Sequence, residues 1–233
     1  MCIDVPAPWL VLVSWVALGG GFVSTGWILS DVYLRHHRQQ MPIMEVVWPT
    51  ALYFGPVAVW AYRQYGRLDS PRWRRSNNLP EEADAPRWTT TALGVSHCGA
   101  GCTAGDIIAE FTVFGIGVTL AGEALYAEML GDYLAALGLG ILFQYFAIAP
   151  MRGLGMRKGL LEAAKADILS LTAFEVGLFG WMALMTFVFF PGPHLHPDSS
   201  VYWFLMQVGM VIGFATAWPA NTWLLRRGIK EAM

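Results

Sequence analysis

Residues Ile168–Phe190 read I-L-S-L-T-A-F-E-V-G-L-F-G-W-M-A-L-M-T-F-V-F-F, with a single charge, Glu175. As a helix, this run is long enough to cross the roughly 30 Å hydrocarbon core of a bilayer. An open strand there would leave backbone groups unpaired in lipid, so a crossing must be helical. The rest of the chain has the same character. Of 233 residues, 55% are apolar and only 14% are charged, and the mean hydropathy is +0.45. A soluble domain carries about 25% charge, so lipid is the expected solvent. Eleven Trp and eight Tyr suit the membrane–water boundary. A net charge of −2, with no basic stripe, speaks against a nucleic-acid partner.

Working outward from this run, five further stretches read as spans: Trp9–Leu34, Pro42–Tyr62, Leu93–Leu120, Leu134–Met151 and Val201–Leu225. The fold expected is an all-α polytopic membrane helix bundle with six transmembrane helices, forming a single domain over residues 1–233. The N-terminus has no basic region before its apolar run, so the first span is read as uncleaved. Residues 63–90 are rich in Pro, Arg, Asn and Glu and read as a flexible cytoplasmic linker. Six crossings put thirteen Lys and Arg on one side, leaving only Arg35 and Arg38 on the other. The positive-inside rule makes the first side cytoplasmic, with both termini there. The location expected is a bacterial cytoplasmic (inner) membrane.

A weak repeat relates A-P-M-R-G-L-G-M-R-K-G-L-L-E-A (Ala149–Ala163) to W-P-A-N-T-W-L-L-R-R-G-I-K-E-A (Trp218–Ala232). Together with the Gly26-Trp27 and Gly180-Trp181 pairs, it suggests three repeated helical hairpins. The plainer reading is that inward-ending helices simply finish this way.

The segment that carries chemistry is S-H-C-G-A-G-C-T-A-G-D-I-I-A-E, Ser96–Glu110. Cys98, Cys102, Asp106 and Glu110 recur every four residues, which on a helix gives one stripe with about 6 Å per step. His97, Cys98 and Cys102 offer imidazole and thiolate donors, a soft set suited to copper, with zinc as the second choice. Asp106 and Glu110, with Glu175 on the fifth span, are carboxylates deep in lipid, where burial marks an ion or proton pathway. Gln144, Gln207 and Asn221 are further intramembrane polar groups. Asp31 and Glu45 lie near the boundary, where snorkelling makes them cheap. On the outer face, His36 and His37 near Met41 and Met44, and His194, His196 and Asp198, are candidates for metal capture. The bland alternatives are small-residue helix packing, core cysteines and solvated histidine turns.

The pattern H-C-G-x-G-C-x-x-G-D-I (His97–Ile107), with P-x-N-x-W-L-x-x-x-G-I-K-E-x-M at the C-terminus (Pro219–Met233), resembles a bacterial multi-span membrane family of unknown function. The resemblance implies a compact helical membrane domain and gives no reaction. Three functions follow as expectations. The first is transport or handling of a transition metal, copper favoured, with the lipid bilayer and the metal ion as partners. The second is a membrane oxidoreductase holding a metal centre or a quinone. The third is a non-catalytic subunit of a larger membrane complex or homo-oligomer.

Overall fold

A computed structural model describes residues 6–38, 48–80, 86–152, 156–192 and 194–230. Met41, Met44 and Glu45, and the start of the expected second span, lie outside these residues. So does the Gln144 side chain. The described residues are helical apart from turns and one isolated bridge between Leu120 and Glu123.

Four helices form the body: α5 (Arg87–Ile116), α6 (Ala124–Arg152), α7 (Met156–Leu184) and α8 (Ser200–Arg226). Gly105 of α5 faces Ala136 of α6, and Gly101 faces Gly140. Tyr133 of α6 meets Thr172 of α7, and Trp181 of α7 donates to Leu205 O of α8 at 2.8 Å. Each pairing is antiparallel, so α5–α8 is an up-and-down four-helix bundle. A Cβ on Gly105 would lie 2.5 Å from Ala136 N. The absence of that carbon is what lets these two backbones approach.

Helix α1 (Pro8–Leu29), extended by a π-helical turn over Ser30–Leu34, flanks α8. Among the described residues, four helical segments are long and apolar enough to cross a membrane: Pro8–Leu34, Ala124–Phe143, Asp167–Phe189 and Ser200–Arg226. Helix α5 is about 45 Å long at 1.5 Å per residue. Its Thr, Ser, His, Asp and Glu lower its hydropathy, and α6, α7 and α8 surround it, so protein rather than lipid solvates its polar face.

The expected second span over 42–62 is not one continuous helix among the described residues 48–62. The chain forms α2 (Ala51–Phe54), breaks at Gly55 (φ +54°), and returns as α3 (Pro56–Gln64). Both arms lie along α1. Gly55 reaches the level of Gly20 and Gly21, halfway along α1. Trp48 and Ala51 on the way in, and Ala58, Val59 and Tyr62 on the way out, all pack with Ile28 and Val32. A positive φ at a glycine followed by Pro at the first helical position makes this reversal cheap. Gln207 Nε2 of α8 donates to Leu52 O at 2.5 Å and anchors the tip.

The reversal brings both ends of this hairpin to one end of the bundle. Arg67 grips Asp31 there, with Nε–Oδ2 at 2.9 Å and Nη2–Oδ1 at 2.7 Å. Tyr62 and His37 complete the cluster at 3.0 and 3.1 Å from Oδ2. The Arg67 guanidinium also lies over the rings of Trp27 and Trp73. Asp31 therefore does not snorkel; it is 1% exposed. Nor is the whole of 63–90 a loose linker. A 3-10 turn (Gly66–Asp69) and α4 (Pro71–Ser76), whose N-terminus is capped by the Ser70 hydroxyl, fold against the bundle end. The N-terminal end of α1 packs near the start of α8, at the opposite end of the bundle from the C-terminal end of α8.

The two segments of the suggested repeat differ at one matched glycine. Gly228 turns the chain after α8 with φ +65°, whereas its matched residue, Gly159, lies inside α7.

Candidate functional site: a buried acidic track

Helix α5 holds Cys98, Cys102, Asp106 and Glu110 on its inward face, all buried. Helix α6 begins at Ala124, ten residues before the apolar run that marked the expected fourth span. Its extra turns carry Glu128 and Asp132 into the bundle rather than leaving them in an outer loop. Glu175 of α7 and Tyr202 of α8 close the group.

The neighbours form a continuous series. Glu128 feels His194 at the bundle mouth. Glu110 feels Glu128, Asp132 and the Tyr202 hydroxyl. Asp106 feels Glu110, Asp132 and Glu175. Glu175 neighbours Cys102. Asp106, Glu110, Asp132 and Glu175 are each at most 2% exposed. None of their eight carboxylate oxygens reaches hydrogen-bonding geometry with a protein partner. Two unit charges about 6 Å apart repel by about 3 kcal/mol at an effective dielectric of about 20. Desolvation adds several kcal/mol per ion. Four bare carboxylates are therefore unsustainable, and the group must bind protons or a cation.

A cavity of about 490 Å³ leads to this group. It runs from Asp198 and Ser199 at the end away from Arg67, between Trp15, Phe22 and Trp203, to Asp106 and Tyr53. Thus Asp106 has a route to one end of the bundle. A second cavity of about 440 Å³ lies at the other end, among α1, α3, α5 and α8. Asp69 lines it; burial pushes its carboxyl up, and the charge of Arg74 offsets part of that rise.

His97, Cys98 and Cys102, the expected soft-metal set, each have different neighbours. The His97 ring packs edge-on against Phe143 at 6.5 Å. The Cys98 Sγ lies 3.0 Å from Asp167 Oδ1, 2.9 Å from Ser170 Oγ and 3.3 Å from Lys230 Nζ. Cys102 faces Glu175 instead. Among the described residues, no group of three or more His, Cys, Asp and Glu could hold a metal ion. The outer histidines do not meet either. His37 packs edge-on against Trp73 beside the Asp31 cluster, and exposed His36 is its neighbour. His196 packs on Phe114 at the opposite end, with exposed His194 and Asp198.

Reading the sequence missed Glu128, Asp132, Asp167, Ser170, Tyr202 and Lys230. The signal available was the four-residue step from Glu128 to Asp132, the same as that from Asp106 to Glu110. It was lost because the helix start was set at the first uninterrupted apolar run. The two sequence motifs meet in space: Asn221 and Lys230 from the second surround Cys98 from the first.

A family described as a domain of unknown function (DUF4396) matches residues 87–230, from the first residue of α5 to Lys230. All the track residues lie inside this match, and α1 and the hairpin lie before it. No curated protein and no solved structure matches the chain.

Proposed function

The chain belongs to the DUF4396 family, and we propose that it is a bacterial cytoplasmic-membrane transporter that carries a cation through the bilayer by proton exchange on buried carboxylates. The observation that carries this reading is the buried series Glu128, Glu110, Asp132, Asp106 and Glu175, of which the last four have no hydrogen-bonded partner, reached by a cavity from one end. A structural acid needs one partner and no neighbours of its own charge. A pathway needs successive acids within reach, each able to release what it binds.

In this reading α1, α5, α6, α7 and α8 cross the membrane and α2–α3 is a re-entrant hairpin. The fold-back puts Arg35 and Arg38 on the same side as Arg67, so all fifteen Lys and Arg gather towards one face. That is a stronger positive-inside bias than the six-crossing arrangement gives. The cytoplasm then adjoins the C-terminal end of α8. Carboxylates rather than His97, Cys98 and Cys102 are the carriers, and their hard oxygens favour a proton or a hard cation over copper.

The test uses proteoliposomes loaded with a pH-sensitive dye, with metal uptake measured in parallel. Asp106→Asn and Glu110→Gln keep shape and remove charge. Each should cut flux at least tenfold, which corresponds to about 1.4 kcal/mol or more of barrier. Wild-type flux in both variants would remove the carboxylates from the pathway.

A further inference from the structure

Helix α8 ends at Arg226, but the chain turns back towards the bundle. Gly228 adopts φ +65°, and the amides of Ile229 and Lys230 donate to Leu224 O at 3.1 and 3.4 Å. The Lys230 side chain enters the bundle, where it is 2% exposed. Its Nζ donates to Gly94 O at 2.8 Å, Asn221 Oδ1 at 2.8 Å and Cys98 Sγ at 3.3 Å. These three acceptors match the three donors of an ammonium.

The acceptors belong to one network. Asn221 Nδ2 donates to Ser170 Oγ at 2.6 Å, and the Cys98 thiol donates to Asp167 Oδ1 at 3.0 Å. Asp167 also feels the Lys230 charge, and its Oδ2 is buried without a hydrogen-bond partner, against Gly140. A backbone carbonyl, an amide oxygen and a nearby carboxylate form a hard oxygen set, the kind that suits a small cation. Cys98 lies one helical turn from Cys102, which neighbours Glu175, the last acid of the track. Lys230 therefore sits across the track's end nearest the C-terminus.

We infer that the Lys230 ammonium is a tethered cation seated in a cation-binding site at the inner exit of the track, formed by Gly94 O, Asn221 Oδ1 and Cys98 Sγ with the Asp167 carboxylate beyond the thiol, and that its departure frees this site for a small monovalent cation. The inference rests on reading the acids as a pathway. It identifies the exit site and what closes it. A free cation and the tail compete for the same oxygens, so the closed state lasts while the tail stays docked. The turn at Gly228 makes release local: nothing lies within 4 Å of a Cβ placed there, so the only cost of a side chain is its left-handed backbone.

The test reads exposure of Cys98 and needs no transport, so it can fail while the pathway reading survives, and the reverse. Inside-out vesicles are treated with a membrane-impermeant maleimide, and modification of Cys98 is followed by mass spectrometry. Lys230→Met should speed labelling at least about tenfold, and Gly228→Ala about fivefold, through the population of the undocked tail. Ammonium chloride should slow labelling in Lys230→Met more than choline chloride at equal ionic strength. If Lys230→Met does not fold, Gly228→Ala decides the first point alone. Labelling at the wild-type rate in folded variants overturns the gate. Equal effects of ammonium and choline overturn the cation site.

Discussion

Two buried aspartates have opposite settings. Asp31 has a bidentate arginine, a tyrosine and a histidine, whereas Asp106 has other acids and no hydrogen-bonded partner. Their substitutions should differ in sign. Asp31→Asn leaves Arg67 buried without its counter-charge, and losing one partner of a buried pair costs about 3–5 kcal/mol. Asp106→Asn removes a repulsion and a desolvation cost while keeping a polar side chain, so its melting temperature should match or exceed the wild type. Thermal melts of both variants in one detergent check this; a fall for Asp106→Asn as large as that for Asp31→Asn would mean that Asp106 is held by a partner. Asp106 was legible in the sequence because a carboxylate in the middle of an apolar helix stands out by itself. Asp31 was not, because its meaning depends on Arg67, thirty-six residues away, and hydropathy cannot show that pairing.

The same limit recurs in the helices. The long apolar runs were readable because a bilayer demands helices of a known length. Their ends were less so, since Glu128 and Asp132 are hydrophilic in composition yet buried by α5. The hairpin is the clearest case: hydropathy over 42–62 records apolar character but not direction, and only the Gly55-Pro56 pair marks the reversal. Contacts between elements also set which glycines matter. Gly105→Val would drive two methyl groups towards the Ala136 backbone, and overpacking of this kind costs about 1–3 kcal/mol or more. Gly138 sits in α6 with nothing within 4 Å of an added Cβ, so Gly138→Ala should be neutral or stabilise by up to about 1 kcal/mol through helix propensity. Melts of the two variants should move in opposite directions or leave Gly138→Ala unchanged. Equal destabilisation would mean that α5 and α6 do not touch along Gly105.

At the scale of the molecule, sidedness follows from one ion pair. If α2–α3 crossed the membrane, Asp31 and Arg67 would lie on opposite faces about 30 Å apart, and the bidentate contact could not form. In the topology proposed above, with five crossings and a re-entrant hairpin, the termini lie on opposite faces. The cytoplasmic face then holds the α4 region and the C-terminus. The proposed outer face holds the N-terminus, the 117–123 turn and the His194–Asp198 loop, near which the cavity leading to Asp106 opens. An N-terminal epitope should be cleaved by protease added to spheroplasts, as should an epitope inserted at Gly192. An epitope after Met233 should be cut only once the cells are broken. A charge swap gives an independent check. Asp31→Arg alone places two arginines together and should destabilise strongly, while Asp31→Arg with Arg67→Asp should recover part of the loss, because only neighbours couple in such a cycle. Protection of both termini in intact spheroplasts, together with no recovery in the double variant, would restore six crossings. The cavity would then still lead to Asp106, but the basic residues would be divided between the faces and the hairpin would have no electrostatic reason to turn back.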